Sequence, residues 1–285
     1  MTASSLVARR NRARSRISQG MVHVGLIVIA GVGLLPYLFA LVTSFKTNEQ
    51  FATDFWLPSF PLHGENFLRA WDQIRPYMVT SVLVALIAIA GILVLSLLSG
   101  FVLARYRFPG RGFFFAVVVA LLMVPGIAGL IPLFVMMRDL GLLNTIWVLA
   151  IPHIAGGAVL GTILMKTFIE GIPQETFDAA RMDGASGPRM FRSIVLPLSL
   201  PVVGTVSLIT VINVWNDFFW PLLTITKNEL KTVSVGLIFF QGQTGTEYGP
   251  MFAGYLIASL PLLLLFTFLS KYFLAGIQGG LPGSH

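Results

Sequence analysis

Six stretches without a single Asp, Glu, Lys or Arg constrain this sequence more than any other feature. Each is more than 20 residues long, and together they make up over half of the chain: 17–45, 76–104, 112–137, 140–165, 193–216 and 248–270. Only 11% of all residues are charged, against about 25% in a soluble domain. A helix that crosses a bilayer needs about 20 mostly apolar residues. The sequence therefore predicts an all-α integral membrane protein with six transmembrane helices, and it excludes a soluble enzyme, a disordered chain and a disulfide-stapled secreted domain.

The basic residues predict the orientation of these helices. Six crossings place 13 of the 19 Lys and Arg residues on the side of the N-terminus and 6 on the other side. Short loops with more Lys and Arg stay in the cytoplasm, so both termini are predicted to be cytoplasmic. The same bias explains the net positive charge without a nucleic-acid partner. A cleaved signal peptide is disfavoured because 17–45 is about twice as long as a signal core.

The residues that usually carry catalytic chemistry are sparse. The chain has no cysteine, its four histidines are far apart, and it contains no GxxxxGK[ST] phosphate loop. Thiolate catalysis, a cysteine-ligated metal and a nucleotide site of this type are therefore excluded. If the protein uses ATP, another subunit binds it.

The organisation follows from the six segments. We expect a basic cytoplasmic tail at 1–20, a six-span domain at 21–275 and a short cytoplasmic tail at 276–285. Prolines are predicted to interrupt the third segment, at Pro125-Gly126 and Pro132, and the fourth, at Pro152. Such breaks are tolerated where neighbouring helices or a water-filled cavity satisfy the freed carbonyls.

The longest cytoplasmic connection, 166–198, is predicted to contain two short helices. Pro173 opens the first, where a missing N–H costs least, and Gly184 is expected to end it in a left-handed conformation. Ser186 is a suitable N-cap for the second. One face of the second helix is apolar, with Met190, Phe191, Ile194 and Val195. This face is expected to pack on the protein's own bundle, to lie at the membrane surface or to pack on a separate protein.

The same connection carries a motif. It reads Asp178-Ala179-Ala180-Arg181-Met182-Asp183-Gly184-Ala185-Ser186, then Phe191, then Leu196-Pro197. This resembles the EAA motif of ABC importer permeases, with Asp178 where glutamate is usual. We call residues 166–198 the EAA loop.

Further stretches resemble the carbohydrate branch of that family, and in particular the second permease of maltose-type transporters. They are Arg107-Phe108-Pro109-Gly110-Arg111, Met123-Val124-Pro125, Ile131-Pro132-Leu133, Gly141-Leu142-Leu143-Asn144-Thr145, Trp215-Asn216-Asp217-Phe218-Phe219-Trp220-Pro221-Leu222 and Lys271-Tyr272-Phe273-Leu274-Ala275-Gly276-Ile277. The resemblance covers about residues 20–278. The last residues, from Gly279 on, depart from the Gly-Ala-Val-Lys-Gly ending of many relatives.

The resemblance implies a subunit of an ATP-driven sugar importer in the inner (cytoplasmic) membrane. The subunit itself is then not an enzyme and binds no cofactor or metal directly. Its implied partners are a second permease, two ATPase subunits that bind ATP and Mg²⁺, an extracytoplasmic solute-binding protein and membrane lipid. The helix pair at 172–195 would be the coupling helix that docks on an ATPase. The implied coupling residues are Asp178, Ala179, Ala180, Asp183, Gly184, Ala185, Phe191, Leu196 and Pro197.

The fifth segment contains candidates for the substrate pathway. Thr210, Asn213, Asp217 and Trp220 are spaced three or four apart, which predicts one helical face. Hydroxyl and amide groups beside tryptophan suit a sugar, but polar residues also join transmembrane helices to one another. Both interpretations remain open here. His153 is interpreted as a packing residue rather than a pathway residue.

The cargo and two rival functions also remain open. The sequence does not choose among a di- or oligosaccharide, an amino sugar and glycerol 3-phosphate. A secondary transporter independent of ATP would show inverted repeats and several buried charges, and neither is evident. A membrane enzyme is disfavoured because no nucleophile–base set or carboxylate pair lies at one depth.

Overall fold

The computed structural model describes the backbone of residues 3–242 and 245–278, and the side chains of 19–238 and 246–268. The described residues are almost entirely helical, as predicted. The helices are α1 (Ala3–Ser44), α2 (Asn48–Thr53), α3 (Glu65–Arg105), α4 (Arg111–Leu121), α5 (Leu130–Asp139), α6 (Ile146–Glu170), α7 (Gln174–Met182), α8 (Gly187–Met190), α9 (Leu196–Leu198), α10 (Leu200–Asn216), α11 (Phe219–Thr224), α12 (Val233–Gly236) and α13 (Tyr248–Gln278). Two short strands, β1 (Gln241–Gly242) and β2 (Gly245–Thr246), form a ribbon before α13. Because α1 begins at Ala3, most of the basic tail expected at 1–20 is part of this helix. Residues 279–285 of the expected C-terminal tail lie outside the described residues.

The described helices allow four to six crossings, a range that includes the predicted number. Four of those described are long and apolar enough to span a membrane alone, namely Gln19–Ser44, Glu65–Arg105, Ile146–Glu170 and Tyr248–Phe268. Two further pairs pass the same test but are bent, by 91° at the break before Gly126 and by 70° at the break before Leu200. If each bent pair is one crossing, the total is the six expected from composition.

The chain divides into two compact units. The first comprises Met1–Ala70 and Gly242–Leu256. Among its residues with described side chains, the most buried charged group is Lys46, which is 1% exposed and donates hydrogen bonds to the backbone carbonyls of Asp54 and Phe55. Burial lowers the pKa of this ammonium, and the Asp54 carboxylate only partly opposes the shift. Lys46 thus fixes the loop that follows α1.

The second unit comprises Trp71–Gln241 and the chain from Ile257 on, and its centre is the close pair of helices α3 and α6. A Cβ on Gly100 would lie 2.7 Å from the Cβ of Met165, and one on Gly161 would lie 2.9 Å from that of Ser96. Glycine at these positions lets the two backbones approach, as is common between membrane helices. The hydroxyls of Ser99 and Thr162 lie 2.7 Å apart and join the pair further.

The prolines have different effects from those predicted. Pro125 lies at the 91° bend, as expected. Pro132 lies in the first turn of α5, where its missing N–H removes no helical hydrogen bond, so it is not a break. The prediction that Pro152 interrupts the fourth segment is wrong, because α6 continues through it. The carbonyl four residues earlier, that of Val148, instead accepts a hydrogen bond of 2.7 Å from the indole N–H of Trp220.

Candidate functional site

The first part of the EAA loop is the helix α7 and the turn that ends it. Gly184 has φ +75°, which confirms the left-handed conformation predicted for it. The Ala185 N–H donates to the Ala180 carbonyl at 2.9 Å and the Gly184 N–H to that of Arg181 at 3.0 Å. These two hydrogen bonds define a Schellman motif, which satisfies the last carbonyls of the helix. Pro173 precedes the helix as its N-cap residue rather than opening it as the first helical residue.

The two faces of α7 differ sharply. Phe177 is 1% exposed and belongs to the hydrophobic core, and the methyl groups of Ala180 and Ala185 pack against that core. On the outer face, Asp178, Ala179 and Asp183 are exposed, and Met182 is 88% exposed. Within the part of the chain whose side chains are described, the Asp178 carboxylate accepts hydrogen bonds only from its own helix, from Arg181 and Gln174, each at 3.0 Å. The inner face therefore anchors α7, and the outer face is open.

The second part of the EAA loop joins α8 to α10. Ser186 occupies the predicted N-cap position, although its side chain makes no capping hydrogen bond. A π-helical turn, Phe191–Val195, follows α8, and such turns occur frequently at functional sites. The predicted apolar face is confirmed, because Met190 and Val195 are buried and Phe191 and Ile194 pack against the core. Leu196 and Pro197 are exposed in α9, directly before the 70° bend.

A cavity of about 370 Å³ lies beside α6 and α10. Glycines and apolar side chains form most of its lining, and its polar groups come from His153, Thr210 and Asn213. The Thr210 hydroxyl already donates to the Val206 carbonyl at 2.8 Å. Asn213 is exposed, and within the described residues its amide has no hydrogen-bond partner. The volume falls within the range of small-molecule sites, with Asn213 as the available polar group.

His153 connects this cavity to the end of α10. Its Nε2 lies 3.1 Å from Oδ2 of Asp217, and the side chains are only 18% and 19% exposed. At this distance the ring N–H donates to the carboxylate. The other carboxylate oxygen accepts the backbone N–H of Trp220 at 3.3 Å. Asp217 thus joins α6 to the start of α11.

The single helical face predicted for the fifth segment is not formed. α10 ends at Asn216, Asp217 is extended, and Trp220 lies on the separate helix α11. Thr210 and Asn213 line the cavity, whereas Asp217 and Trp220 do not. Trp220 is buried and donates to Val148. The prediction from i, i+4 spacing is wrong here because α10 ends at Asn216, one residue before Asp217.

Two contacts at this site were missed from sequence. Asp217 and His153 are 64 positions apart, and Trp220 and Val148 are 72 apart. A signal for the first existed, since both ionisable groups lie in or beside apolar segments, where such groups usually pair. A signal for the second was Pro152, which frees one carbonyl. Among the described residues, no three His, Asp or Glu side chains come together in a group that could hold a metal ion.

Comparison with known proteins agrees with this architecture. Residues 92–278 match the family model described as "Binding-protein-dependent transport system inner membrane component". The arabinooligosaccharides transport system permease protein AraQ of Halalkalibacterium halodurans is 31% identical over 95% of this chain and 99% of its own. The diacetylchitobiose uptake system permease protein NgcG of Streptomyces coelicolor is 28% identical over 96% of this chain and 92% of its own.

A solved structure shows the same fold. The crystal structure of a bacterial ABC transporter that imports the acidic polysaccharide alginate contains a chain that matches with a TM-score of 0.78 and 23% identity, over 90% of this chain and 97% of that one. The family match and the sequence relatives define the class of protein as a multi-pass transport subunit rather than an enzyme. The chain belongs to the family of binding-protein-dependent transport system inner membrane components, the permeases of ABC importers.

Proposed function

We propose that this chain forms half of the transmembrane pathway for a neutral di- or oligosaccharide, and that its EAA loop couples the pathway to a partner ATPase. A second permease would supply the other half, and two ATPase subunits would bind ATP and Mg²⁺. A solute-binding protein would deliver the sugar, in keeping with the family description.

One observation carries the coupling part of this proposal, namely the contrast between the two faces of α7. An anchored inner face fixes the position of the helix, and an open outer face presents Asp178, Ala179, Met182 and Asp183. A protein that docks here meets a rigid helix whose turn is closed by Gly184. Coupling requires this arrangement, because a flexible loop would deform when the ATPase moves and would not transmit the movement to the membrane helices.

The cavity supports the choice of cargo. Hydroxyl, amide and imidazole groups among apolar walls suit a molecule with neutral hydroxyls and apolar C–H faces. The relatives AraQ and NgcG are named for arabinooligosaccharides and diacetylchitobiose. We therefore favour a sugar over glycerol 3-phosphate, and Asn213 over Asp217 as the group that meets it.

Two adjacent alanines provide a matched test of coupling. The chain has no native cysteine, so single cysteines are clean probes. In the complete transporter, Ala179→Cys on the outer face should cross-link to an ATPase subunit, whereas Ala180→Cys on the partly buried inner face should not. Equal cross-linking at both positions, or at neither, would contradict docking on this face.

Orientation is testable with the same approach. The charge bias places the EAA loop, the turn at 105–111 and both termini in the cytoplasm. A membrane-impermeant thiol reagent should therefore label Leu140→Cys on intact cells and leave Ser186→Cys unlabelled. The opposite labelling pattern would show that the topology is inverted. The EAA loop would then lie on the side of the membrane away from the ATPase.

The cargo is tested by uptake. Proteoliposomes that hold the whole transporter, with its binding protein outside and ATP inside, should accumulate a radiolabelled oligosaccharide. An excess of glycerol 3-phosphate should not compete. Uptake without ATP would favour a secondary transporter, and competition by glycerol 3-phosphate would favour the alternative cargo.

A further inference from the structure

The C-terminal end of α3 contacts both halves of the EAA loop. The contacts come from Phe101 and Arg105 in α3 and from Tyr106, the residue that follows the helix. All are far in sequence from the loop, and the EAA motif includes none of them. Because α3 itself is buried against α6 in the same unit, these contacts determine which membrane helix supports the loop.

Arg105 makes the most extensive contacts. One terminal nitrogen of its guanidinium donates to the backbone carbonyls of Ile169 and Ile172. The other donates to the side-chain oxygen of Gln174 at 3.0 Å. The last turn of α6, the connection after it and the first residue of α7 are thus held by a single side chain.

The same guanidinium also lies over the anchor of α7. Its carbon is 4.0 Å from the centre of the Phe177 ring, which is the geometry of a cation–π interaction. The Ile169 carbonyl is among the last four of α6, which have no partner within the helix and carry partial negative charge, and it also accepts the Ile172 N–H at 3.2 Å. A planar cation with several donors meets these needs together, and the single ammonium of lysine does not.

The remaining contacts seat the second half of the loop. The rings of Phe101 and Phe191 are 5.5 Å apart. A Cβ on Gly187 would lie 2.4 Å from the Tyr106 hydroxyl, so the backbone of α8 rests directly against this tyrosine. We call Phe101, Arg105 and Tyr106 the α3 seat.

We propose that Arg105 is a positioning residue for coupling, which locks α7 to α3 so that α3 follows when an ATPase displaces the EAA loop. The inference rests on the proposed function in one respect, that an ATPase docks on the outer face of α7. Arg105 does not itself meet the ATPase, because its guanidinium is committed to the inner side of the loop.

The experiment measures a distance and a coupling ratio in the complete transporter. Spin labels at Val102→Cys on α3 and Thr176→Cys on α7 report how firmly the loop is seated, and both positions are exposed. We expect one narrow distance distribution that is the same with and without ATP. In an Arg105→Gln background the distribution should broaden, with the seated position at least about tenfold less favoured, since the loss of a single charge-assisted hydrogen bond already gives this factor.

Transport should change accordingly. Arg105→Gln should lower sugar uptake per ATP hydrolysed by about tenfold, by the same estimate, while hydrolysis itself continues. Arg105→Lys keeps the charge and loses the planar donors, so its sugar uptake per ATP hydrolysed should lie between that of the wild type and that of Arg105→Gln. The matched control is Arg107→Gln, two residues further on, which removes an equal charge from an exposed side chain and should leave both readouts unchanged.

The outcomes separate this inference from the proposed function. If Ala179→Cys cross-links to the ATPase but Arg105→Gln keeps the narrow distribution and normal coupling, the role of Arg105 is wrong and docking stands. If the wild-type distance changes with ATP, α3 does not follow α7 and the inference is also wrong. If Ala179→Cys does not cross-link to an ATPase subunit when Arg105 is in place, docking fails whatever the distances show. Should Arg105→Gln prevent assembly, Arg105→Lys is the milder variant and is expected to broaden the distribution less, and a distribution as narrow as that of the wild type would contradict the role of Arg105.

Discussion

The EAA loop and the junction between α10 and α11 achieve their shapes in different ways. Within the EAA loop, α7 and its turn are built from contacts between near neighbours, as in the pairs Ala185 with Ala180 and Gly184 with Arg181. At the junction, Asp217 and Trp220 depend on α6, through His153 and the Val148 carbonyl. The turn that ends α7 is encoded locally, whereas the junction depends on partners more than 60 positions away in sequence.

This difference separates the expected effects of mutation. A change at the loop turn should disturb coupling while the bundle stays intact, because the bundle does not depend on the turn. A change at the junction should loosen the bundle itself, because the junction joins helices. The four predictions below test this separation, from the largest expected effect to the smallest.

Replacing Gly184 with valine should abolish uptake. At φ +75° a non-glycine residue costs about 1–2 kcal/mol, and a β-branched one costs more. We expect normal membrane insertion, weak binding of the ATPase and no accumulation of sugar. Co-purification of the ATPase and an uptake assay measure both effects.

Gly112→Val is the matched control for that substitution. Gly112 lies in α4 and a Cβ there has no atom within 4 Å, so uptake should persist. Normal transport by Gly184→Val would show that the turn is not a required joint and that the two regions do not differ in this way.

Replacing Trp220 with phenylalanine should destabilise the bundle. The ring is largely kept, but the Val148 carbonyl loses its donor inside the protein, at a cost of about 1–3 kcal/mol. Thermal unfolding of the purified transporter should shift to lower temperature. Trp147→Phe, at a half-exposed position on α6, should have little effect.

A second substitution makes this prediction sharper. Pro152→Ala restores a backbone N–H that can reach the Val148 carbonyl, so it should reduce the cost of Trp220→Phe when the two are combined. A double-mutant cycle measures the coupling. Strictly additive effects would mean that Trp220 does not compensate for Pro152.

Asp217→Asn should have a moderate effect on stability and none on cargo. The amide has nearly the same shape but lacks the negative charge of the carboxylate, which accepts hydrogen bonds from His153 and the Trp220 N–H. We therefore expect the free energy of unfolding to fall by about 0.5–2 kcal/mol. Thermal stability and competition among sugars are the two measurements. Unchanged stability with altered selectivity would instead place Asp217 in the pathway.

Asn213→Leu should have the smallest effect on stability, within about 0.5 kcal/mol, because its amide is exposed and makes no hydrogen bond within the described residues. Sugar uptake should nevertheless need a higher concentration of loaded binding protein. The same substitution at Asn216, which is exposed on α10 and does not line the cavity, is the control. If both variants transport normally, Asn213 does not meet the sugar.

The sequence alone determined the class of fold and the local geometry of the loop. Six charge-free stretches require helices in a membrane because the backbone has no water there to bond to. The positions of Pro173, Gly184 and Ser186 predicted α7 and its turn to within a residue, because caps and turns depend on the conformations open to individual residues. The EAA motif pointed to the family in the same local way.

Only the tertiary structure decided which distant groups meet. Helical spacing placed Asp217 and Trp220 on one face with Asn213, but α10 stops at Asn216. Likewise Pro152 was expected to break α6, and the indole of Trp220 compensates for it. The seat that Arg105 provides for the EAA loop also joins residues 64 to 69 positions apart. Such pairings follow from how helices pack in three dimensions, and the spacing of residues along one helix does not determine which other helices it contacts.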